Sequence, residues 1–280
     1  MTLSLASFEF VRTVLRQRSA HCLDADKAYL VETRLLPLAR RHGFGSVEEL
    51  VLRLRGRTNE RLLAELVEAM AINETFFFRD GQPFEVLRRT VLPELVRRRA
   101  DVCRLHVWSA ACSSGQEAYS VALLLRHHFP DLAGWIIRLL GSDLSAAMLE
   151  RARQGRYSDL EVSRGLPAEL RDGYFRREAD GWQIADDVRR MVEFQPVNLN
   201  GPWPELPPLD LVLLRNVLIY FDLPTKQRIL ERVRRVLQPD GYLLLGGAET
   251  THNLDDGFVP VSFAQVSFFR LASPPTETAR

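Results

Sequence analysis

Cysteine is scarce. Cys22, Cys103 and Cys112 are the only three in 280 residues, and no two of them form a C-x-x-C pair. This suggests neither a disulfide framework nor a thiolate zinc site, and a reducing cytosol, hence a cytoplasmic protein, fits best. Long apolar runs are also missing: the two longest, "VALLLRHHF" and "LDLVLLRNVLIYF", are too short and too interrupted to span a bilayer. The first residues lack the basic-then-apolar pattern of a secretory signal. No excess of one charge sign exists either, with 37 Lys+Arg against 36 Asp+Glu, so no global field directs the chain to nucleic acid or an anionic membrane. Lysine is nearly absent (Lys27 and Lys226), and no function follows from that. There is no internal repeat and no G-x-G-x-x-G. The expectation is an intracellular globular protein of one large domain or two modest ones.

What is present divides the chain. Residues 1 to 71 read as helix only: "SFEFVRTVLRQRS", "DADKAYLVETRLLPLARRHG", "SVEELVLRLRG" and "TNERLLAELVEAMA" carry apolar residues at i, i+3, i+4 spacing. Ser7, Asp24, Ser46 and Thr58 are the expected N-caps. Pro83 and Pro93 bracket a connecting helix, "FEVLRRTVLPELVRRR". From about residue 102, strands ("CRLHVWSAA", "WIIRLLGSD", "LDLVLLRNV", "GYLLLGG") alternate with helices ("QEAYSVALLLRHHF", "AAMLERARQG", "TKQRILERVRRVL"), the mark of a parallel sheet covered on both faces. Residues 155 to 197 form an insertion that alternates like a small antiparallel hairpin, and "FVPVS" with "SFFRLA" suggests a terminal hairpin. The tail "SPPTETAR" is expected to be disordered.

Ligands of an open parallel sheet lie outside the carboxyl ends of its strands. There the first strand turns into "SAACSSGQEAYS", small residues with one glycine, Gly115, that let backbone approach a ligand. Asp143 ends the second strand, where a carboxylate can accept both hydroxyls of a ribose. Each element alone is ordinary, a turn and a helix cap; jointly they favour a nucleoside cofactor without a pyrophosphate. In "LLRNVLIYFD", Arg215 and Asn216 interrupt a buried strand, and Tyr220 follows. A satisfied buried Asn and a rim Tyr would explain this, but an Arg-Asn pair at the end of a central strand better suits a ligand cleft. Asn198, in "QPVNLNGPW", ends another strand-like stretch. Finally, "NETFFFRD" sets three phenylalanines between polar groups. Core aromatics account for Phe77 and Phe78 and leave Asn73, Thr75 and Arg79 without a purpose.

These segments together resemble the CheR family, the bacterial chemoreceptor glutamate O-methyltransferases that use S-adenosylmethionine. The resemblance rests on "NETFFFR", "WSAACSSGQEAYS", "GSDLS", "VNL" and "RNVLIYFD", in that order over nearly the whole chain. Departures are Gln116 and Ala118, where the family often has Glu and Pro, and "GGAET" in place of G-x-S-E. The resemblance implies an α/β, class I methyltransferase-like (Rossmann-like) sheet with a small all-helical N-terminal domain and a small antiparallel β insertion. Its boundaries would be a helical domain at 1–75, a linker helix at 76–100, a catalytic domain at 101–272 with the β subdomain inside 155–197, and a tail at 273–280.

The resemblance also implies roles. Asn73, Thr75 and Arg79 would reach the methionine end of the cofactor or the acceptor. Glu117 and Asp143 would bind cofactor, with Asp143 at the ribose. Asn198, Leu199, Arg215 and Asn216 would line its adenine and amino-acid contacts, and Tyr220 would sit near the transferred methyl. Arg79 and Tyr220 are thus the expected catalytic residues, and Gly115 belongs to the cofactor turn. The acceptor would be a glutamate on the cytoplasmic helical domain of a chemoreceptor. No metal or nucleic acid is expected, and membrane contact would come only through the receptor. A glutamate is already ionised at pH 7, so no general base is required; His106, His127 and His128 lie away from the expected cleft. The alternatives are a small-molecule methyltransferase of this fold and a non-catalytic cofactor-binding module.

Overall fold

The computed structural model describes residues 3–57 and 59–272. The cap expected at Thr58 and the tail 273–280 lie outside them. The chain forms two compact units: Met1–Ile72 joined by Asn198–Pro202 and Tyr220–Lys226, and the remainder.

The first unit is built on α1 (Leu5–Ser19), α2 (Ala28–Arg41), α3 (Val47–Gly56) and α4 (Glu60–Met70). The stripes Phe8/Val11/Leu15, Val31/Leu35/Leu38, Leu50/Val51/Leu54 and Leu63/Leu66/Met70 meet in one apolar core, as the i, i+3, i+4 pattern requires. Ser46 caps α3 as expected, accepting the Glu49 N–H. The other caps differ. Ser4, not Ser7, caps α1, because the helix starts at Leu5 and Ser7 already lies within its first turn; both hydroxyls also donate to Glu48 on α3. Asp24 does not cap α2, which starts after Lys27 with no side-chain cap. Asn59 caps α4.

The second unit opens with α5 (Gln82–Val86), a π turn (Leu87–Val91) and α6 (Leu92–Arg98) as one continuous helical segment. Pro93 therefore sits inside it instead of bounding it. A proline ring clashes with the carbonyl four residues back, and the wider π turn, in which the Leu92 N–H reaches the Leu87 carbonyl, relieves that clash.

The sheet follows: β1 (Arg104–Ala110), α7 (Gln116–His128), β2 (Ile136–Asp143), α8 (Ala146–Gln154), then β6 (Val192–Pro196), β7 (Leu209–Leu214), α12 (Leu223–Val236), β8 (Leu237–Leu245), β9 (Phe258–Phe263) and β10 (Val266–Leu271). Its seven strands run β6-β2-β1-β7-β8-β10-β9. β1, β2, β6, β7 and β8 pair in parallel, and β9 and β10 close the edge as an antiparallel hairpin. The order reverses at β1, which lies between β2 and β7, so the switch point falls at the carboxyl ends of these three strands.

Between α8 and β6 lie β3 (Arg156–Tyr157), α9 (Asp159–Ser163), α10 (Ala168–Tyr174), β4 (Phe175–Glu178), β5 (Gly181–Ile184) and α11 (Asp186–Arg189). The insertion is a three-stranded antiparallel sheet, β3-β5-β4, larger than a hairpin. Val192–Pro196 is not part of it; this segment pairs with β2 at the edge of the main sheet. Its alternation looked antiparallel only because an edge strand is exposed on alternate residues.

Candidate functional site

Gly115, Glu117, Asp143, Arg215 and Asn216 lie at or just beyond the carboxyl ends of β1, β2 and β7. After β1 the backbone turns through left-handed Ala111 and Ser113 into Gly115 at φ 91°. A Cβ at Gly115 would lie 2.9 Å from the Ala152 side chain and 3.1 Å from Phe194, so only glycine lets α7 start this close to the neighbouring elements.

Asp143 is 7% exposed. Its Oδ2 accepts the Ser113 N–H at 2.8 Å and its Oδ1 the Ser145 N–H at 2.9 Å. One carboxylate thus ties the β1–α7 turn to the start of α8, and Ser113 in turn donates its hydroxyl to the Asn73 carbonyl at 2.9 Å. The buried Cys112 lies beside it; burial first, then the charges of Asp143 and Glu117, push its thiol well above the ordinary range. It is a packing residue and not a nucleophile.

A second network runs through Arg215, whose side chain is 1% exposed. Nη1 donates to Glu117 Oε2 at 3.1 Å; Nη2 donates to Asp80 Oδ2 at 2.6 Å and to the Arg79 carbonyl at 3.1 Å. Glu117 also accepts the Ser109 hydroxyl at 2.8 Å. Two buried polar atoms in this region have no partner, Arg215 Nε and Asn216 Oδ1. Buried polar atoms are nearly always bonded, and two together at a switch point mark a place for a polar ligand.

The phenylalanines divide their work. Phe77 is fully buried, edge-on to Tyr157 at 4.9 Å and Phe175 at 5.5 Å in the insertion. Phe78 packs edge-on to Phe84, and its N–H donates to Ser120 Oγ at 2.9 Å. Phe76 is not in the core: the guanidinium groups of Arg164 and Arg79 lie 4.1 and 5.4 Å from its ring. Arg79 Nη1 donates to the Glu74 carbonyl at 3.0 Å, which leaves further donors of Arg79 unspent.

Asn198, Leu199 and Tyr220 belong to the first unit. Asn198 Nδ2 donates to the Arg18 carbonyl at 2.7 Å, and Leu199 is buried. The Tyr220 carbonyl accepts the Cys22 N–H at 2.9 Å, and His21 bridges Phe221 and stands edge-on to the Tyr220 ring at 5.3 Å.

Sequence reasoning missed Asp80, Ser109 and His21. Asp80 follows Arg79 but pairs across the fold with Arg215, so no sequence pattern pointed to it. His21 is half-buried, and burial, aided by the Arg34 charge, lowers its pKa below 6.5. In the unfolded chain the imidazole keeps its ordinary value, so as pH falls below 6.5 the unfolded state takes up the proton first and stability falls. Above 6.5 both states are neutral and His21 contributes nothing. The thermal midpoint is therefore expected to fall more between pH 7.5 and 5.5 in the wild type than in His21→Phe; equal falls would contradict this.

A Rossmann-like parallel sheet, reversing at β1 and lined there by Asp143, Arg215 and the β1–α7 turn, defines the nucleoside-dependent methyltransferase fold. Residues 6–71 match the family model "CheR methyltransferase, all-alpha domain", and residues 73–266 match "CheR methyltransferase, SAM binding domain". The chain is 39% identical over 275 residues to chemotaxis protein methyltransferase 1 of Pseudomonas aeruginosa, covering 96% of this chain and 99% of that protein. It is 38% identical over 255 residues to chemotaxis protein methyltransferase Cher2 of Pseudomonas putida (90% and 92% covered). Against a chemotaxis protein methyltransferase of Borreliella burgdorferi the identity is 32% over 233 residues (81% and 82% covered). The chain belongs to the CheR methyltransferase family. It is a methyltransferase, and its cofactor is S-adenosylmethionine. No helix among the described residues is long and apolar enough to cross a membrane.

Proposed function

We propose that this protein methylates glutamate side chains on the cytoplasmic helical domain of chemoreceptors, forming methyl esters for sensory adaptation. The observation that carries this is the likeness, over 96% of the chain, to a protein named as a chemotaxis methyltransferase. The residues suit the cofactor. Asp143 offers acceptors for a ribose; Arg215 Nε and Asn216 Oδ1 are a buried donor and acceptor without partners; and Gly115 lets backbone come close. Asn73, Thr75, Arg79, Glu117, Asn198 and Leu199 complete the proposed set. When bound, S-adenosylmethionine supplies a methyl group made electrophilic by its sulfonium.

Arg79, with guanidinium donors to spare, orients the acceptor carboxylate, and Tyr220 flanks the methyl path. The acceptor oxygen is already an anion, so no protein group would have to take a proton from it when the bound cofactor supplies the methyl group. Of the four imidazoles in the second unit, His106 on β1 faces the Pro208 carbonyl at 3.1 Å, His127 and His128 end α7, and His252 is exposed in the loop after β8. The protein's contribution is then positioning. A tight grip on the carboxylate would stabilise the ground state more than the transition state, in which the charges cancel.

The test is the chemistry of the product. Label transferred from the methyl-labelled cofactor is expected to require a receptor cytoplasmic fragment and to be released as volatile methanol by mild alkali, since hydroxide cleaves esters but not N-methyl bonds. The rate is expected to vary little from pH 6.5 to 8, because a glutamate of ordinary pKa is ionised throughout. Base-stable label, or transfer to a metabolite without receptor, would overturn the proposal in favour of a small-molecule acceptor.

A further inference from the structure

We infer that Glu249 is a positioning residue for the cofactor site, holding the turn after β7 in the conformation that presents Arg215 and Asn216. The inference rests on reading those two residues as cofactor contacts.

Glu249 lies in "GGAET", in the loop after β8. Its Oε2 accepts the N–H of Asn216 at 2.7 Å and of Gly246 at 2.8 Å; its Oε1 accepts the N–H of Val217 at 2.9 Å and of Ile219 at 3.3 Å. Four main-chain donors from two loops converge on one carboxylate, the concave arrangement by which backbone binds an anion. Local geometry explains why the donors are available. β7 ends at Leu214, and Leu218–Tyr220 is a single 3-10 turn, so the N–H groups between them have no strand partner and no helical one. Asn216 is left-handed at φ 57°, a conformation asparagine tolerates without favouring it. Something must hold it there, and the carboxylate does.

Gly246 completes the cradle. A Cβ at that position would lie 2.7 Å from Asn216 Nδ2 and 2.8 Å from Asn216 N, so the Asn216 amide lies directly over it. The same amide leaves Oδ1 buried and unpartnered. The carboxylate is needed as such. In Glu249→Gln one acceptor oxygen becomes an NH2 group facing two N–H donors, and the turn loses half its anchor.

Two measurements on the full-length protein decide the matter. Hydrogen exchange of the ligand-free protein is expected to show faster exchange of the Gly246 and Asn216–Ile219 amides in Glu249→Gln, with other segments unchanged. Calorimetry with S-adenosylhomocysteine is expected to show binding weakened about tenfold or more, and less than about twofold further loss when the change is made on Asn216→Ala, because both act through one turn. Wild-type exchange and affinity in Glu249→Gln would overturn the proposal, as would an equal loss in both backgrounds. Should Glu249→Gln not fold, Glu249→Asp, which keeps the charge on a shorter stem, carries the same comparison. If Asn216→Ala binds as wild type, the cofactor reading of Asn216 fails instead, and the exchange result alone decides whether Glu249 holds the turn.

Discussion

Arg215→Met is expected to lower stability by roughly 3–5 kcal/mol, the range found when one partner of a buried ion pair is removed. The guanidinium is 1% exposed and bonds two carboxylates. These would respond differently. Asp80 is 48% exposed and recovers solvent when Arg215 is gone. Glu117 is 10% exposed and would be left as a buried charge with only the Ser109 hydroxyl. The cost is therefore carried by Glu117, and Glu117→Gln in the Arg215→Met background is expected to restore part of it, a coupling of about 0.5–3 kcal/mol. In thermal unfolding the single change corresponds to a midpoint lowered by on the order of 6 °C or more. A midpoint within the error of wild type, or no recovery in the double variant, would show that Glu117 is not the charge Arg215 neutralises.

The parts of the molecule that sequence reading reached are those governed by local rules. The sheet strands, leucine- and valine-rich because helices cover both faces, announce themselves, as do the helical stripes of the first unit and the cap at Ser46. The parts it missed depend on distant partners. Ser7 has the residue type of a cap, but the helix starts at Leu5 and Ser4 takes the role, while Glu48 on another helix accepts both hydroxyls. Val192–Pro196 has the alternation of a hairpin arm, but its partner is β2. Asp80 is one of 36 acidic residues in the sequence, distinguished only by the arginine that the fold brings to it. Glu249 gave no composition signal, because its ligands are main-chain N–H groups that every sequence has. For Asn73, Thr75 and Arg79, residue chemistry showed only that they lacked a structural purpose; the family resemblance supplied the proposed one.

Asp143→Ala is expected to weaken binding of S-adenosylhomocysteine about ten- to hundredfold, since hydrogen bonds to a charged group are worth roughly 1.5–3 kcal/mol each. That loss by itself is ambiguous. The carboxylate already accepts the Ser113 and Ser145 N–H groups, so its removal also frees the turn beneath the ligand. The two effects separate when the ligand is varied along with the protein. The proposed placement gives each carboxylate oxygen one ribose hydroxyl. Wild type is therefore expected to reject the 2′-deoxy and 3′-deoxy analogues of S-adenosylhomocysteine, because a buried acceptor loses its donor. Asp143→Ala is expected to bind the parent compound and both analogues alike. Asp143→Asn keeps one acceptor oxygen and is expected to discriminate against only one of the two analogues. If Asp143→Ala still discriminates as strongly as wild type, the ribose lies elsewhere and Asp143 serves only to staple the turn between β1 and α7.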